Sequence, residues 1–252
     1  MITLYHWEPN ANSGKPILTL KEKGVEFKSH YLDLLNFDQH SPEYLKINPN
    51  GTIPAMVHDD LMLYESTAIM EYVDEAFPGP KLSPDEPEAR WRMRWWMKFF
   101  DQYYAPSASM AGWNFFVGPS VRSKDPELLK QKIEAIPLKE RRIAWTKAIY
   151  GTFSEEELAE SRRRVAYGAE LMETELENHT WLAGETYSLA DINAFNLCYF
   201  MPAQPGGAVS DEKTPKTMEW LRKIYERPAT KAAWSLGKTM NTQRLTHLER
   251  KR

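Results

Sequence analysis

Ile47-Asn48-Pro49-Asn50-Gly51-Thr52-Ile53-Pro54-Ala55-Met56-Val57, followed by Tyr64-Glu65-Ser66-Thr67-Ala68-Ile69, decides the fold of this chain. A turn-rich segment ends in a β-branched residue ahead of a proline, an apolar run follows, and an acidic-hydroxyl pair opens a helical pattern. Pro54 lacks an N–H and biases Ile53 toward extended backbone, so Ile53 can offer its own N–H and C=O outside a sheet. An extended peptide could pair there as an added strand. Ser66 stands where a helix begins, and the free N–H groups of a helix start favour a carboxylate. Glu65 beside it can hold an ammonium.

Outward from this stretch, the first eighty residues alternate between strand and helix patterns. Ile2 to His6 alternates as a strand, Pro9 to Gly14 reads as a polar loop, and a helix is expected from Lys15, with Pro16 in its first turn and Gly24 at its end. Val25 to Leu32 reads as a second strand and Asn36 to Asn50 as irregular or short helix. Ala55 to His58 and Leu61 to Tyr64 suggest a hairpin around Asp59-Asp60, and a helix runs from Ser66 to about Phe77. Pro78-Gly79-Pro80 breaks the chain, and Lys81 to Glu88 has the composition of a linker.

No convincing strand pattern follows. Trp91, Trp95, Trp96, Phe99, Phe100, Tyr103 and Tyr104 recur at three- and four-residue spacing as a wide aromatic helix face. Leu158, Val165, Ala169, Met172 and Leu176 mark another helix, and Ser188-Leu189-Ala190-Asp191 reads as a capping box opening the apolar run Ile192 to Phe200.

The 252 residues suffice for one large or two ordinary cores. With 42% hydrophobic and 27% charged residues and no apolar run of membrane length, the composition is that of a soluble globular protein. The N-terminus enters a strand directly, which points to the cytoplasm. A net charge of −3 gives no footprint for nucleic acid. The basic clusters Lys139 to Arg142 and Arg162 to Arg164 read as solvated helix faces. The single cysteine, Cys198, rules out an internal disulfide and reads as a small buried hydrophobe. Six histidines at no HExxH-like spacing make a metal site unexpected. The tail after Lys238 reads as frayed.

Asn48 to Pro54 with Glu65 to Ile69 resembles the glutathione site of the glutathione transferase superfamily. The resemblance implies an N-terminal thioredoxin-like α/β domain (1–78), a linker (79–88) and an all-helical domain (89–252). It also implies a cis bond before Pro54 and a homodimer. It makes Thr52, Ile53, Pro54, Glu65 and Ser66 glutathione ligands, with His40 similarly placed to a ligand of some classes. The stretch Gly118 to Phe153, longer than the usual connection, together with the loop Pro9-Asn10-Ala11-Asn12-Ser13, is similar to the bacterial β-aryl etherases that cleave lignin-derived ethers. That stretch could instead be a surface excursion without function.

A glutathione enzyme has to supply thiolate, and hydrogen-bond donors and a helix N-terminus aimed at the sulfur favour the charged form. By the resemblance, Ser13 occupies the position where superfamily members stabilise the thiolate, with Asn12 as a second donor. Tyr5 is the runner-up, and a plain capping role for Ser13 stays open. The electrophile pocket is expected between the domains, with Trp7, Tyr103, Tyr104, Trp113, Phe115, Phe116 and Trp145 as candidate faces for an aryl ether, although aromatic stripes are often core. The alternatives are a general transferase on other electrophiles and a transferase-like protein that holds glutathione without turnover.

Overall fold

A computed structural model describes residues 1–203, 207–238 and 245–249. The strands β1 (Ile2–His6), β2 (Lys28–Tyr31), β3 (Ala55–His58) and β4 (Leu61–Tyr64) form a mixed sheet in the order β2-β1-β3-β4. β1 runs parallel to β2 with Thr3 opposite Lys28, and antiparallel to β3 with Leu4 opposite Met56. The hairpin of β3 and β4 closes around Asp59-Asp60 as the turn composition predicts, with Asp59 at a φ of 53°.

The first helix departs from the expected start. α1 runs Ala11–Lys23, so Asn12 and Ser13 lie in its first turn and not in a loop before it, and Pro16 sits further inside. Asn10 stands at the cap position without a side-chain cap bond, and Ser13, inside the first turn with its Oγ accepting from the Trp7 N–H, does not cap the helix. The far end closes as a Schellman motif: Gly24, at a φ of 69°, donates to the Lys21 carbonyl and Val25 donates to Leu20. That bond draws Val25 into the cap, and β2 begins only at Lys28 instead of Val25.

Helical turns Leu34–Asn36 and Asp38–His40 and the short α2 (Pro42–Leu45) lead to the Asn48 to Pro54 loop, and α3 (Ser66–Ala76) follows β4. Among the described residues every later element is helical apart from one isolated bridge between Trp181 and Gly184. α4 (Pro87–Phe99) continues through a wide turn, Phe100–Tyr104, into α5 (Ala105–Gly112), and a second wide turn, Trp113–Val117, leads to α6 (Gly118–Arg122). After α7 (Pro126–Glu134) and α8 (Lys139–Tyr150) come α9 (Glu155–Asn178), α10 (Leu189–Cys198), α11 (Pro215–Tyr225) and α12 (Pro228–Trp234).

The expected capping box at α10 is present: Ser188 Oγ accepts from the Ala190 N–H, and Asp191 accepts from the Ser188 N–H at 2.9 Å. Asp191 also accepts from Trp220 Nε1 at 2.8 Å and from the Leu182 N–H, yet burial still pushes its pKa up to about 6. α10 is buried nearly all round, which is why its apolar run shows no amphipathic period.

One continuous core joins Leu4, Ile17, Met56 and Ile69 of the sheet half to Trp96, Phe100, Met172, Phe195 and Trp234 of the helical half. The aromatic face of α4 divides: Trp96 and Phe100 enter this core, while Trp91 and Trp95 stay exposed. Cys198 is buried beside Met172, and burial raises its thiol pKa to about 12. The tail does not fray at residues 245–249, because Leu245 and Leu248 are buried in the core and His247 Nε2 pairs with the Tyr199 carbonyl at 2.6 Å.

The 118–153 segment has a core of its own, where Val117, Val121, Leu129, Ile133, Ile136, Trp145 and Ile149 close over Phe37 of the sheet half. Gly118 lets α6 cross α8 closely: a Cβ there would lie 2.0 Å from the Ala148 carbonyl oxygen. The segment is therefore packed against residues 34–40 rather than projecting from the surface. No described helix is long and apolar enough to cross a membrane.

Candidate functional site

Asn48 builds the loop before β3. Fully buried, it donates from Nδ2 to the Thr52 carbonyl at 2.8 Å and to Thr52 Oγ1 at 3.0 Å, while its Oδ1 accepts from the Asn50 N–H. The Tyr44 hydroxyl donates to the same Thr52 carbonyl at 2.6 Å. With Thr52 held twice, the next peptide is fixed in place, and Ile53-Pro54 is cis, as the resemblance implied. The N–H and C=O of Ile53 make no hydrogen bond among the described residues, so both are available to a peptide.

Glu65 precedes α3 at a φ of 71°, a left-handed conformation uncommon for glutamate and of the kind found at functional sites. Its carbonyl accepts from the Ile69 N–H, which leaves the Ser66, Thr67 and Ala68 N–H groups free at the helix start. Ser66 is nearly buried and Glu65 is exposed, so the hydroxyl lies at the helix start and the carboxylate faces solvent.

At the other helix start, the Gly14 N–H reaches the Asn10 carbonyl, leaving the N–H groups of Ala11, Asn12 and Ser13 free and the positive end of α1 open. Ser13 is 6% exposed, and its Oγ accepts from the Trp7 N–H at 3.1 Å. With that lone pair engaged, the hydroxyl proton is free to point at an anion. Asn10 donates from Nδ2 to the Tyr199 hydroxyl at 3.1 Å, tying this loop to the helical half. Tyr5 packs its ring at 4.6 Å from His30 and 5.8 Å from Tyr44, in a small cluster beneath β1.

Four residues not anticipated from the sequence join the two helix starts. Lys15 of α1, 1% exposed, donates to Asp101 at 2.7 Å. Asp101 also accepts from Thr67 Oγ1 at 2.5 Å, and Asn193 of α10 donates to both Thr67 and Asp101 at 3.2 Å. Burial lowers the Lys15 pKa, and Asp101 opposes that shift. The signal was present: a lysine two residues before Ile17 and three before Leu18, in a stretch otherwise fit for burial, needs a charged partner.

His40 is not a solvent-exposed loop residue. Its ring lies against Gly51, where a Cβ would come within 2.7 Å, and its Nδ1 has no partner among the described residues. Burial pushes its pKa down to about 4, with Lys132 and Arg141 acting in the same direction. Because the folded pKa lies below the unfolded value of about 6.5, His40 contributes stability that is present above that pH and is lost as pH falls from about 6.5 to 4. An NMR titration should accordingly find His40 neutral down to about pH 5, and a midpoint near 6.5 would contradict its burial.

The seven candidate pocket aromatics separate. Tyr104 is fully buried in the main core with its hydroxyl on Met201 Sδ, and Trp145 is buried at 4.7 Å from Phe37, so neither faces an open pocket. Tyr103 is occupied by Phe99, Tyr167 and the Arg164 guanidinium, against α9. Trp7 and Trp113 are half-buried, while Phe115 and Phe116 are exposed. Among the described residues no three His, Cys, Asp or Glu side chains gather as metal ligands.

The basic clusters divide as well. Arg163 and Arg164 pair with Glu160 at the surface as the spacing predicts. In the other cluster Arg142 donates to the Ile136 carbonyl, but Arg141 turns inward, half-buried with its guanidinium 5.7 Å from the Trp113 ring centre.

Two family models match this architecture: the glutathione S-transferase N-terminal domain over residues 1–75 and the C-terminal domain over residues 104–228. The chain is 37% identical over 244 residues to protein LigF of Sphingobium sp., covering 94% of each chain. The crystal structure of that protein, described as the β-etherase LigF, superposes with a TM-score of 0.89, covering 94% of this chain and 99% of its own. Glutathione S-transferase F10 of Arabidopsis thaliana is 30% identical over 88% of this chain and 91% of its own. Poplar glutathione transferase F7, at 24% identity and a TM-score of 0.74, shares the fold. With a thioredoxin-like mixed sheet followed by a helical domain, and with these matches over nearly its whole length, the chain belongs to the glutathione S-transferase family.

Proposed function

We propose that this chain is a glutathione-dependent β-etherase, on the strength of its likeness to LigF over 94% of both sequences. The γ-glutamyl ammonium sits by Glu65 and its carboxylate at Ser66 on the α3 start, while the cysteinyl backbone pairs with Ile53 between Thr52 and Pro54. His40 lines the far end of the peptide. The sulfur meets the Ser13 hydroxyl, Asn12 and the free N–H groups opening α1, all of which favour thiolate.

The thiolate then attacks the carbon that carries the aryloxy group next to a ketone. One carbon–sulfur bond forms as the carbon–oxygen bond breaks, and the phenolate departs and takes up a proton from solvent. The ketone activates that carbon and phenolates leave readily, so the protein contributes thiolate and position. Of the candidate set, Trp7, Phe115 and Phe116 are exposed or half-buried and pack against no other ring among the described residues, so they can meet an aryl group. The test is phenol release from β-aryl ether ketones with glutathione, using both enantiomers. Release from either supports the reading, and none from a broad panel defeats it.

The Arabidopsis likeness favours a second reading, conjugation of other electrophiles. Turnover of chlorodinitrobenzene without any ether cleavage would select it. For both readings a Glu65→Ala variant should bind glutathione about 10-fold more weakly with little change in melting temperature, since an exposed side chain is removed from a charge-assisted contact. Calorimetric titration reads the first effect and thermal unfolding the second.

The enzyme acts as a cytoplasmic homodimer in this reading. Leu61, Met62 and Tyr64 on β4 and Trp91 and Trp95 on α4 are exposed apolar side chains that a second copy would cover. Light scattering of the purified protein gives the mass directly.

A further inference from the structure

Arg141 is half-buried, with no carboxylate within ion-pair distance among the described residues. It makes no hydrogen bond and no ion pair among the described residues, and its guanidinium lies 5.7 Å from the centre of the Trp113 ring. The nearest acid in sequence, Glu140, acts on it less than Glu65 does, although Glu65 lies on the other side of the domain boundary and is not within ion-pair distance. Burial lowers its pKa, as expected for a cation without a carboxylate. A guanidinium presents five donors in a fork that suits a carboxylate, so such a site is incomplete without an anion.

The surrounding packing brings the start of the Arg141 helix up to the peptide-binding loop. Pro137, just ahead of α8, lies so close to Gly51 that a Cβ there would approach its Cδ to 3.2 Å, and the same Cβ would meet His40. Phe37, Trp145 and Trp113 form a chain of rings at 4.7 and 4.9 Å that holds Trp113 beneath Arg141. Phe37 also packs its ring 6.0 Å from His40, so the same chain of rings that reaches Arg141 reaches the loop, and Arg141 and His40 act on each other electrostatically.

Glutathione carries two carboxylates. On the reading above, the γ-glutamyl one has Ser66 and the open start of α3, and the glycyl one lies at the His40 end. With its pKa down at about 4, His40 is neutral at physiological pH and supplies no charge. We propose that Arg141, contributed by the 118–153 segment, binds the glycyl carboxylate of glutathione and so makes that segment part of the cosubstrate site. The inference rests on the glutathione reading above and gives the segment a role in recognition.

The test compares two peptides by calorimetric titration: glutathione, and the same tripeptide with its glycyl carboxyl converted to the amide. The wild-type protein should prefer glutathione by about 10- to 100-fold, the worth of a hydrogen-bonded charge pair. Arg141→Gln should lose that preference by binding glutathione more weakly while its affinity for the amide stays within about twofold. Arg141→Lys should keep part of the preference, and Lys132→Gln should keep nearly all of it. Equal binding of both peptides by the wild-type protein overturns the assignment, even if Arg141→Gln does not fold. So does an Arg141→Gln variant that still discriminates, or a preference abolished by Lys132→Gln instead. If the wild-type protein binds neither peptide, the glutathione reading itself fails and this inference falls with it.

Discussion

A Ser13→Ala variant should lose about 10- to 100-fold in turnover while its glutathione affinity stays nearly unchanged, because a hydrogen bond to a charged sulfur is worth more than one to the neutral thiol. Ser13 Oγ already accepts from the Trp7 N–H, so the proton is the part of the hydroxyl left for a ligand. Alanine fits the 6% exposed site and removes that proton together with the acceptor of the Trp7 N–H, so the melting temperature of the variant is to be measured beside its turnover. The free N–H groups of Ala11 and Asn12 remain, which is why activity falls rather than vanishes. The pKa of the bound thiol, followed by thiolate absorbance, should rise in step with the loss. Tyr5→Phe should leave turnover near wild type, since the Tyr5 ring is packed with His30 and Tyr44. Full activity in Ser13→Ala together with loss in Tyr5→Phe would reverse the assignment.

An Asp101→Ala variant should be destabilised by about 3 kcal/mol, because it leaves the Lys15 ammonium buried and unpaired. In a chain of this size that corresponds to a melting temperature lower by roughly 6 to 12 °C. Asp101 is itself about one-third exposed, with a side-chain accessibility of 32%, so the cost arises from Lys15 at 1% and not from the surface end of the pair. A Lys15→Met, Asp101→Leu double variant should recover most of the loss, since apolar replacement removes the buried charge as well as its partner. Glutathione binding should not recover with it, because Thr67 beside Ser66 would still lack its acceptor. Recovery of both stability and binding in the double variant would mean that the network does not position the α3 start.

The sheet and the loop before β3 were legible because local rules dictated them. The Asp59-Asp60 hairpin, the Ser188 capping box and the strand-start proline each need only a few neighbouring residues. Where contacts distant in sequence decide, reading failed. α1 starts at Ala11 because Asn10 is pulled to Tyr199 of the helical half, a tie spanning 189 positions. Tyr104 shares its helical spacing with exposed aromatics, and only the packing of Met201 against it shows that it is core, as the packing of Phe37 does for Trp145 in the 118–153 stretch. Arg141 lay within a run of four charged residues whose composition suggested a solvated face. Its neighbour Arg142 obeys that reading and Arg141 does not, a difference set by the crossing of α8 over Trp113.

Thiolate displacement is tested most directly by measuring phenol and glutathione thioether together, from single enantiomers of a β-aryl ether ketone. Direct attack predicts the two products in equal amounts at every time point, inversion at the attacked carbon, and no phenol when glutathione is omitted. Phenol without an equal amount of thioether, or retention at that carbon, would contradict it.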